Sequence, residues 1–284
     1  MTTNIPASVF ARLKNWARAN GQDLQYVLFR YANERILYRL SISSERRSFV
    51  LKGATLFLAW NGRSHRVTRD IDLLGYGDPA PERLAELFRL VATVPCDEDG
   101  VVFDPSSVAV SPIREELEYG GVRVTMRARL DRADLPVQID VGFGDVVQPV
   151  EMALPTILPL PAPRLRAYPP EVVVAEKLEA MVRLGRENTR LKDFYDVWLL
   201  LRSVPFDARL QQAIEATFAR RGTVTSSELP DALSDAFADD PVKQAQWATF
   251  LRRAMTDERP ALGEVIAVIR GALWPLLAGG GGPR

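Results

Sequence analysis

Cysteine and histidine are nearly absent from this chain. It has one of each, Cys96 and His65, in 284 residues. One cysteine excludes an intramolecular disulfide, and one of each excludes a structural zinc cluster, so the chain fits a reducing compartment. The N-terminal stretch MTTNIPASVFARLKNWARANG has no apolar core of signal-peptide length. No uncharged apolar run approaches the roughly 20 residues a membrane helix needs. The expectation is a cytoplasmic protein with no membrane partner. Net charge is missing too, since 36 Lys and Arg balance 36 Asp and Glu. The molecule as a whole therefore exerts no pull on a polyanion, and such a partner would need a local basic patch.

Apolar residues make up 47% of the chain and charged residues 25%, the profile of a globular protein able to bury a core. Helical spacing runs through Val9, Leu13, Trp16 and Ala17, and again from Leu24 to Leu40, with Gly21 breaking the two. Phe49 to Leu51 is a short strand-like run ending at Gly53. A helix is expected at 54–60, closed by Asn61 and Gly62. Asp70 to Leu74 alternates acidic and apolar residues, a strand. An amphipathic helix is expected over 79–92, with Pro81 near its start. Three strands are expected between 101 and 147. Residues 149–170 are proline-rich and read as an extended linker. Helices are expected at 171–184, 190–202, 206–219, 241–255 and 261–276, before a flexible GGGGPR tail. The fold class is α+β: a small mixed sheet flanked by helices over 1–150, then a helical bundle over 165–284.

Asp70 and Asp72 stand two apart on a strand, so both side chains leave one face. Two carboxylates about 6–7 Å apart at their Cα atoms repel unless a cation lies between them. A hard dication fits, Mg²⁺ first and Mn²⁺ as a substitute. Asp140, between Ile139 and Val141 in VQIDVGF, is the third acid expected from a neighbouring strand. A D-x-D taken alone is more often a solvated strand face. Here Ile71, Leu73 and Leu74 flank it, and an acidic face on a core strand is costly without compensation. Upstream, VLKGATLFLAW runs a strand into Gly53 and then a helix. That turn offers backbone N–H groups to a triphosphate, with Thr55 adding a hydroxyl; a plain strand-to-helix turn is the competing reading.

A strand, a Gly turn, a helix and then D-x-D resembles the DNA polymerase β-like nucleotidyltransferases. KGATLFLAW followed by Arg66-x-Thr68-x-Asp70-Ile71-Asp72-Leu73 resembles, more narrowly, the AbiEii toxins of type IV toxin–antitoxin pairs, which include the mycobacterial MenT toxins. VVVAEKLEAMVRLG and RLKDFYDVWLL resemble two later helices of that family. The likeness spans about residues 48–202, with Ala54 standing where the superfamily often has Ser. It implies an enzyme that moves a nucleotidyl group from an NTP to an acceptor, for several relatives the tRNA 3′ end, with blocked translation as the result and an antitoxin as partner. It implies catalytic roles for Asp70, Asp72, Asp140, Lys177 and Asp193. Nucleotide contacts are implied for Lys52, Gly53, Thr55, Arg66, Thr68, Lys192 and Asp196, and metal binding for Asp70, Asp72 and Asp140.

Alternatives stand beside these roles. Lys177 also reads as a lysine extended off a helix edge. Asp193 and Asp196 either orient Lys177 or form a surface pair with Lys192 and Arg190. Arg66 binds phosphate or pairs with the aspartates. Arg183, Arg186, Arg190 and Lys192 read as an RNA-backbone contact or as a solvated face. At the level of function, transfer to a small molecule, as by aminoglycoside nucleotidyltransferases, and a non-catalytic binding protein on the same fold are the other readings.

Overall fold

The computed structural model describes residues 4–278 apart from 63–64, 67, 97–98, 114–120, 227 and 257; the GGGGPR tail lies outside them. The chain divides into two compact units, Met1–Tyr168 and Pro169–Arg284.

The first unit is built on a seven-stranded mixed sheet in the order β3-β4-β5-β2-β1-β7-β6. Its strands are β1 (Phe49–Lys52), β2 (Asp70–Gly75), β3 (Val101–Ile113), β4 (Gly121–Leu130), β5 (Ala133–Gly142), β6 (Val150–Ala153) and β7 (Arg164–Ala167). Its helices are α1 (Ile5–Ala19), α2 (Leu24–Ile42), the short α3 (Leu56–Asn61) and α4 (Pro81–Thr93). α1 begins at an Asn4 cap and α2 at an Asp23 cap, each side chain accepting a backbone N–H of the first turn. Period-2 alternation decides the sheet. Ile71 and Leu73, Val122 to Leu130 at even positions, and Leu135 to Val141 at odd positions are all buried. The helices α2 and α4 pack on β5 and β3. The opposite face carries Asp70, Asp72 and Asp140.

Two expectations change here. Residues 149–170 do not form a free linker: β6 and β7 pair with one another, and β7 joins β1 at Leu51. Four of that stretch's prolines, 155, 159, 161 and 163, fall between the two strands, where a missing N–H disturbs no ladder. The turn after β1 is also not an immediate α-helix. Gly53–Thr55 is one 3₁₀ turn, and α3 follows for only six residues. So short a helix brings little dipole to a phosphate, and the turn's own N–H groups are what it offers.

The second unit is helical: α5 (Pro170–Leu184), α6 (Leu191–Ser203), α7 (Ala208–Arg221), α8 (Asp235–Ala238), α9 (Pro241–Arg253) and α10 (Leu262–Ala278). α5 packs on α6 and α7, and α6 on α9 and α10. Its core is aromatic: Phe194 stacks on Phe237 at 5.4 Å, and Tyr195 meets Trp198, Trp247 and Phe250. The fully buried Glu179 joins α5 to α7 by accepting from Arg221 at 2.6 Å and Thr223 at 2.7 Å. Among the described residues no helix is long and apolar enough to cross a membrane.

Candidate active site

The sheet register places four charged residues side by side. Arg123 of β4 lies opposite Asp140 of β5, Asp140 opposite Asp72 of β2, and Asp72 opposite Lys52 of β1. Adjacent strands are about 4.8 Å apart, so this row is about 14 Å long, with two carboxylates between two cations. Asp70 sits two residues along β2 on the same face, opposite Gln138.

Each side chain in the row has a definite setting. Asp72 is half-buried, and its carboxyl is pushed above the ordinary carboxylate value, first by burial and further by Asp140 and Asp70, while Lys52 and Arg66 pull it back. Its carboxylate lies against the bare backbone of Gly53: a Cβ there would stand 1.9 Å from Asp72 Oδ2. Gly53 also has φ +73°, the left-handed region. Sequence and space thus require glycine here for two separate reasons. Asp140 accepts two hydrogen bonds from Arg123, Nε to Oδ1 and Nη2 to Oδ2, both 2.8 Å. Lys52 extends over the sheet to 3.6 Å from Asp145, which also accepts from the Tyr168 hydroxyl at 3.0 Å. Gly142 leaves the space for that ammonium, since a Cβ there would meet Lys52 Nζ at 3.0 Å. Thr55 is buried within the 3₁₀ turn, and Arg66 and Thr68 are half-buried just before β2.

The three aspartates therefore share one face but do not form a ready cage. Among the described residues, no three Asp, Glu, His or Cys side chains gather closely enough to hold a metal ion. The donor chemistry still fits a hard dication: the carboxylates are all oxygen, they repel one another, and Asp72 is already driven toward protonation. Asp140 would have to exchange Arg123 for the cation. Arg123 and Asp145 were not singled out from the sequence. Arg123 lies 17 positions from its partner, and only the pairing register reveals it.

In the helical unit, Lys177 of α5 is held by two aspartates of α6, contacting Asp193 Oδ1 and Asp196 Oδ2, the latter at 2.9 Å. Asp193 and Asp196 are 1% and 0% exposed, so they are no surface pair. Arg190 Nε completes the group at 2.8 Å from Asp193, while Lys192 is exposed. Burial would raise the Asp193 carboxyl, but Lys177 and Arg190 outweigh it and hold the group below its ordinary value. The three-residue spacing of the aspartates presents both to one lysine. Of the expected basic cluster, Arg183 and Arg190 are engaged with Glu179 and Asp193. His65 is buried with its ring edge-on to Phe57 at 4.6 Å.

The family model described as nucleotidyl transferase AbiEii toxin, type IV toxin–antitoxin system, matches residues 35–268. The chain belongs to the AbiEii nucleotidyltransferase toxin family. Membership makes it a nucleotidyltransferase toxin with a nucleotide substrate and an antitoxin counterpart. Among solved structures, the chain is similar to JHP933 from Helicobacter pylori at 14% identity, covering 88% of this chain and 93% of that one, with a TM-score of 0.49. A second H. pylori protein, provisionally described as a nucleotidyltransferase, matches at 14% identity over 87% and 91% of the two chains, with a TM-score of 0.47. No curated protein matches the chain. The match begins within α2 and ends within α10, so this AbiEii chain carries the family pattern through both of its units.

Proposed function

We propose that the sheet face bearing Asp70, Asp72 and Asp140 is the catalytic centre of a Mg²⁺-dependent transfer of a nucleotidyl group from an NTP to RNA, the tRNA 3′ end being the acceptor. The observation that carries this reading is Asp72 pressed on Gly53 with Asp140 beside it. Neighbouring carboxylates on a half-buried sheet face, next to a tight glycine turn, are costly unless a bound cation and polyphosphate use them.

Asp70 and Asp72 would hold the cation, with Asp140 as the third oxygen donor once Arg123 lets go of it. When bound, Mg²⁺ neutralises charge on the phosphoryl oxygens and polarises the attacking and leaving oxygens; Mn²⁺ would substitute. The backbone N–H groups of Gly53 to Thr55 and the Thr55 hydroxyl would receive phosphate oxygens. Lys52, Arg66 and Thr68 stand nearby as further phosphate or ribose contacts, and Lys52 lies close enough to Asp72 to lower its carboxyl. Asp140 is also the carboxylate suited to take the acceptor hydroxyl's proton. Within the helical unit, Lys177, held in place by Asp193 and Asp196, is the candidate phosphate-binding cation, and Lys192 is a further candidate nucleotide contact. Catalysis of this kind rests on positioning and electrostatics. Tagging tRNA would block translation, in the cytoplasm.

The test incubates the protein with each labelled NTP, Mg²⁺ and total RNA. Label should enter the tRNA band, and EDTA or Asp72→Asn should abolish it. Label transfer to a small molecule with none in any RNA would sink the RNA reading while leaving nucleotidyl transfer intact.

A further inference from the structure

The strand β4 has a pattern that the catalytic row does not use up. Its sequence GVRVTMRARL buries Val122, Val124, Met126, Ala128 and Leu130. Arg123, Thr125, Arg127 and Arg129 leave the other side. Because Arg123 lies opposite Asp140, that side is the face carrying the carboxylates. From Arg123 to Arg129 is six residues, so three guanidinium groups form a line about 20 Å long that starts in the catalytic row.

Arg127 and Arg129 are exposed and Arg123 is half-buried. On β3 the residues opposite are Ser111, Ala109, Asp104 and Val102, and Val102 is 61% exposed. No large side chain of β3 stands over the arginines. Acidic neighbours do exist: Asp140 at Arg123, Asp104 at Arg127 and Asp134 at Arg129. Asp104 is turned to its own strand, accepting from Ser106 Oγ at 2.5 Å and Ser106 N at 3.0 Å, and it reaches Arg127 only at 3.5 Å. The ladder breaks between Asp104 and Ala109, and the Arg127 N–H donates to Ser107 Oγ at 2.8 Å instead. Such bulges re-aim side chains next to active sites. Charges that guard a sheet against aggregation belong on its edge strand. The edge here is β3, whereas the arginines are on the interior strand β4. In a chain of zero net charge, such a local line is what a nucleic-acid backbone requires.

We propose that the acceptor RNA runs along β4, its phosphates on Arg123, Arg127 and Arg129, delivering its end to the carboxylate row. This rests on the proposed catalytic reading and assigns the acceptor track to residues that the sequence motifs do not include. Arg123 is the junction: a phosphate drawn onto it would free Asp140.

The test uses the full chain, a fluorescein-labelled tRNA transcript and fluorescence anisotropy over a salt series. Arg127→Glu with Arg129→Glu is compared with Lys14→Glu with Arg18→Glu, which makes the same charge change on exposed positions of α1. Each lost single-strand phosphate contact removes about 0.7 from the log–log salt slope, so the β4 pair should lower it by about 1.4 and weaken binding roughly 25-fold at 0.1 M salt. Affinity for a fluorescent NTP analogue should stay within about twofold, and the α1 pair should bind RNA like wild type. Arg127→Gln with Arg129→Gln should give the same slope change if the glutamates disturb folding, which a thermal melt would reveal. RNA affinity unchanged in the β4 variants, or lost equally in the α1 variant, overturns the track. A wild-type protein that binds nucleotide but no RNA refutes the RNA acceptor itself, a different outcome from RNA bound alike by wild type and variant.

Discussion

Replacing Gly53 by alanine tests the geometry of the acidic row most directly. The added Cβ would lie 1.9 Å from Asp72 Oδ2, 2.6 Å from its Cγ and 2.8 Å from its Cβ. A carbon–oxygen contact normally settles near 3.3 Å or beyond, so the carboxylate must retreat by more than ~1 Å. Rotating the Asp72 side chain does not suffice, because its own Cβ is already too close. Either β2 shifts from β1 or the turn gives way. Holding alanine at φ +73° costs about 1 kcal/mol, and relieving the overlap adds about 1–3 kcal/mol. Gly62 supplies the control: its φ is +70°, yet a Cβ there meets nothing within 4 Å. Gly62→Ala should lower Tm by about 2–4 °C, and Gly53→Ala by about 5–10 °C. Transfer measured by label incorporation should fall about 100-fold in Gly53→Ala, the effect of a ~1 Å misplacement, and remain near wild type in Gly62→Ala. If both variants lost the same small stability and both kept full transfer, Asp72 would not need its seat on the turn, and the reading of that turn would be wrong.

The remaining predictions concern buried charge. Lys177→Met leaves Asp193 and Asp196 facing each other without their shared cation and should cost about 3–5 kcal/mol in urea unfolding. Lys177→Met with Asp196→Asn should recover part of that; an unchanged midpoint in the single variant would show the clamp contributes nothing. Asp193 titrates below its ordinary 3.8, so its stabilisation is present above that pH and is lost as the pH falls below it. This acid loss should be shallower in Lys177→Met. Glu34 behaves oppositely. Burial raises its carboxyl from 4.5 to about 7, although the Ile157 N–H donates to it at 2.9 Å. The folded state then holds a proton that the unfolded state has released, so stability is full below pH 4.5 and falls as the pH rises through about 7, by about 3 kcal/mol in all. Glu34→Gln should flatten that slope and be more stable than wild type at pH 8; a parallel pH profile in the variant would show that Glu34 does not titrate in this window.

The sequence was legible where one period held over many residues. The helical spacing of α1, α4 and α7 and the alternation in β4 and β5 each bury one side, while the longer apolar stretches of α2 and α6 are buried nearly all round. The family strings singled out Gly53, Asp70, Asp72, Lys177, Asp193 and Asp196 as candidates because they lie within continuous stretches of chain. Short elements escaped. β6 and β7 are four residues each, too few for a period, and the prolines between them imitate a linker. Cross-strand partners escaped for a different reason. That Arg123 meets Asp140, or Lys52 meets Asp72, depends on strand order and register, and a one-residue slip would send each side chain to the opposite face. Asp140 shows what this means for function. As a letter in VQIDVGF it reads as a third metal carboxylate; in the folded sheet it is already bonded twice to an arginine. The two descriptions are compatible only if Arg123 can leave, and the nearest reason for it to leave is a phosphate arriving along β4. On the proposed track, that pairing would couple acceptor binding to completion of the acidic site, and the Arg127/Arg129 variants test the first half of that link.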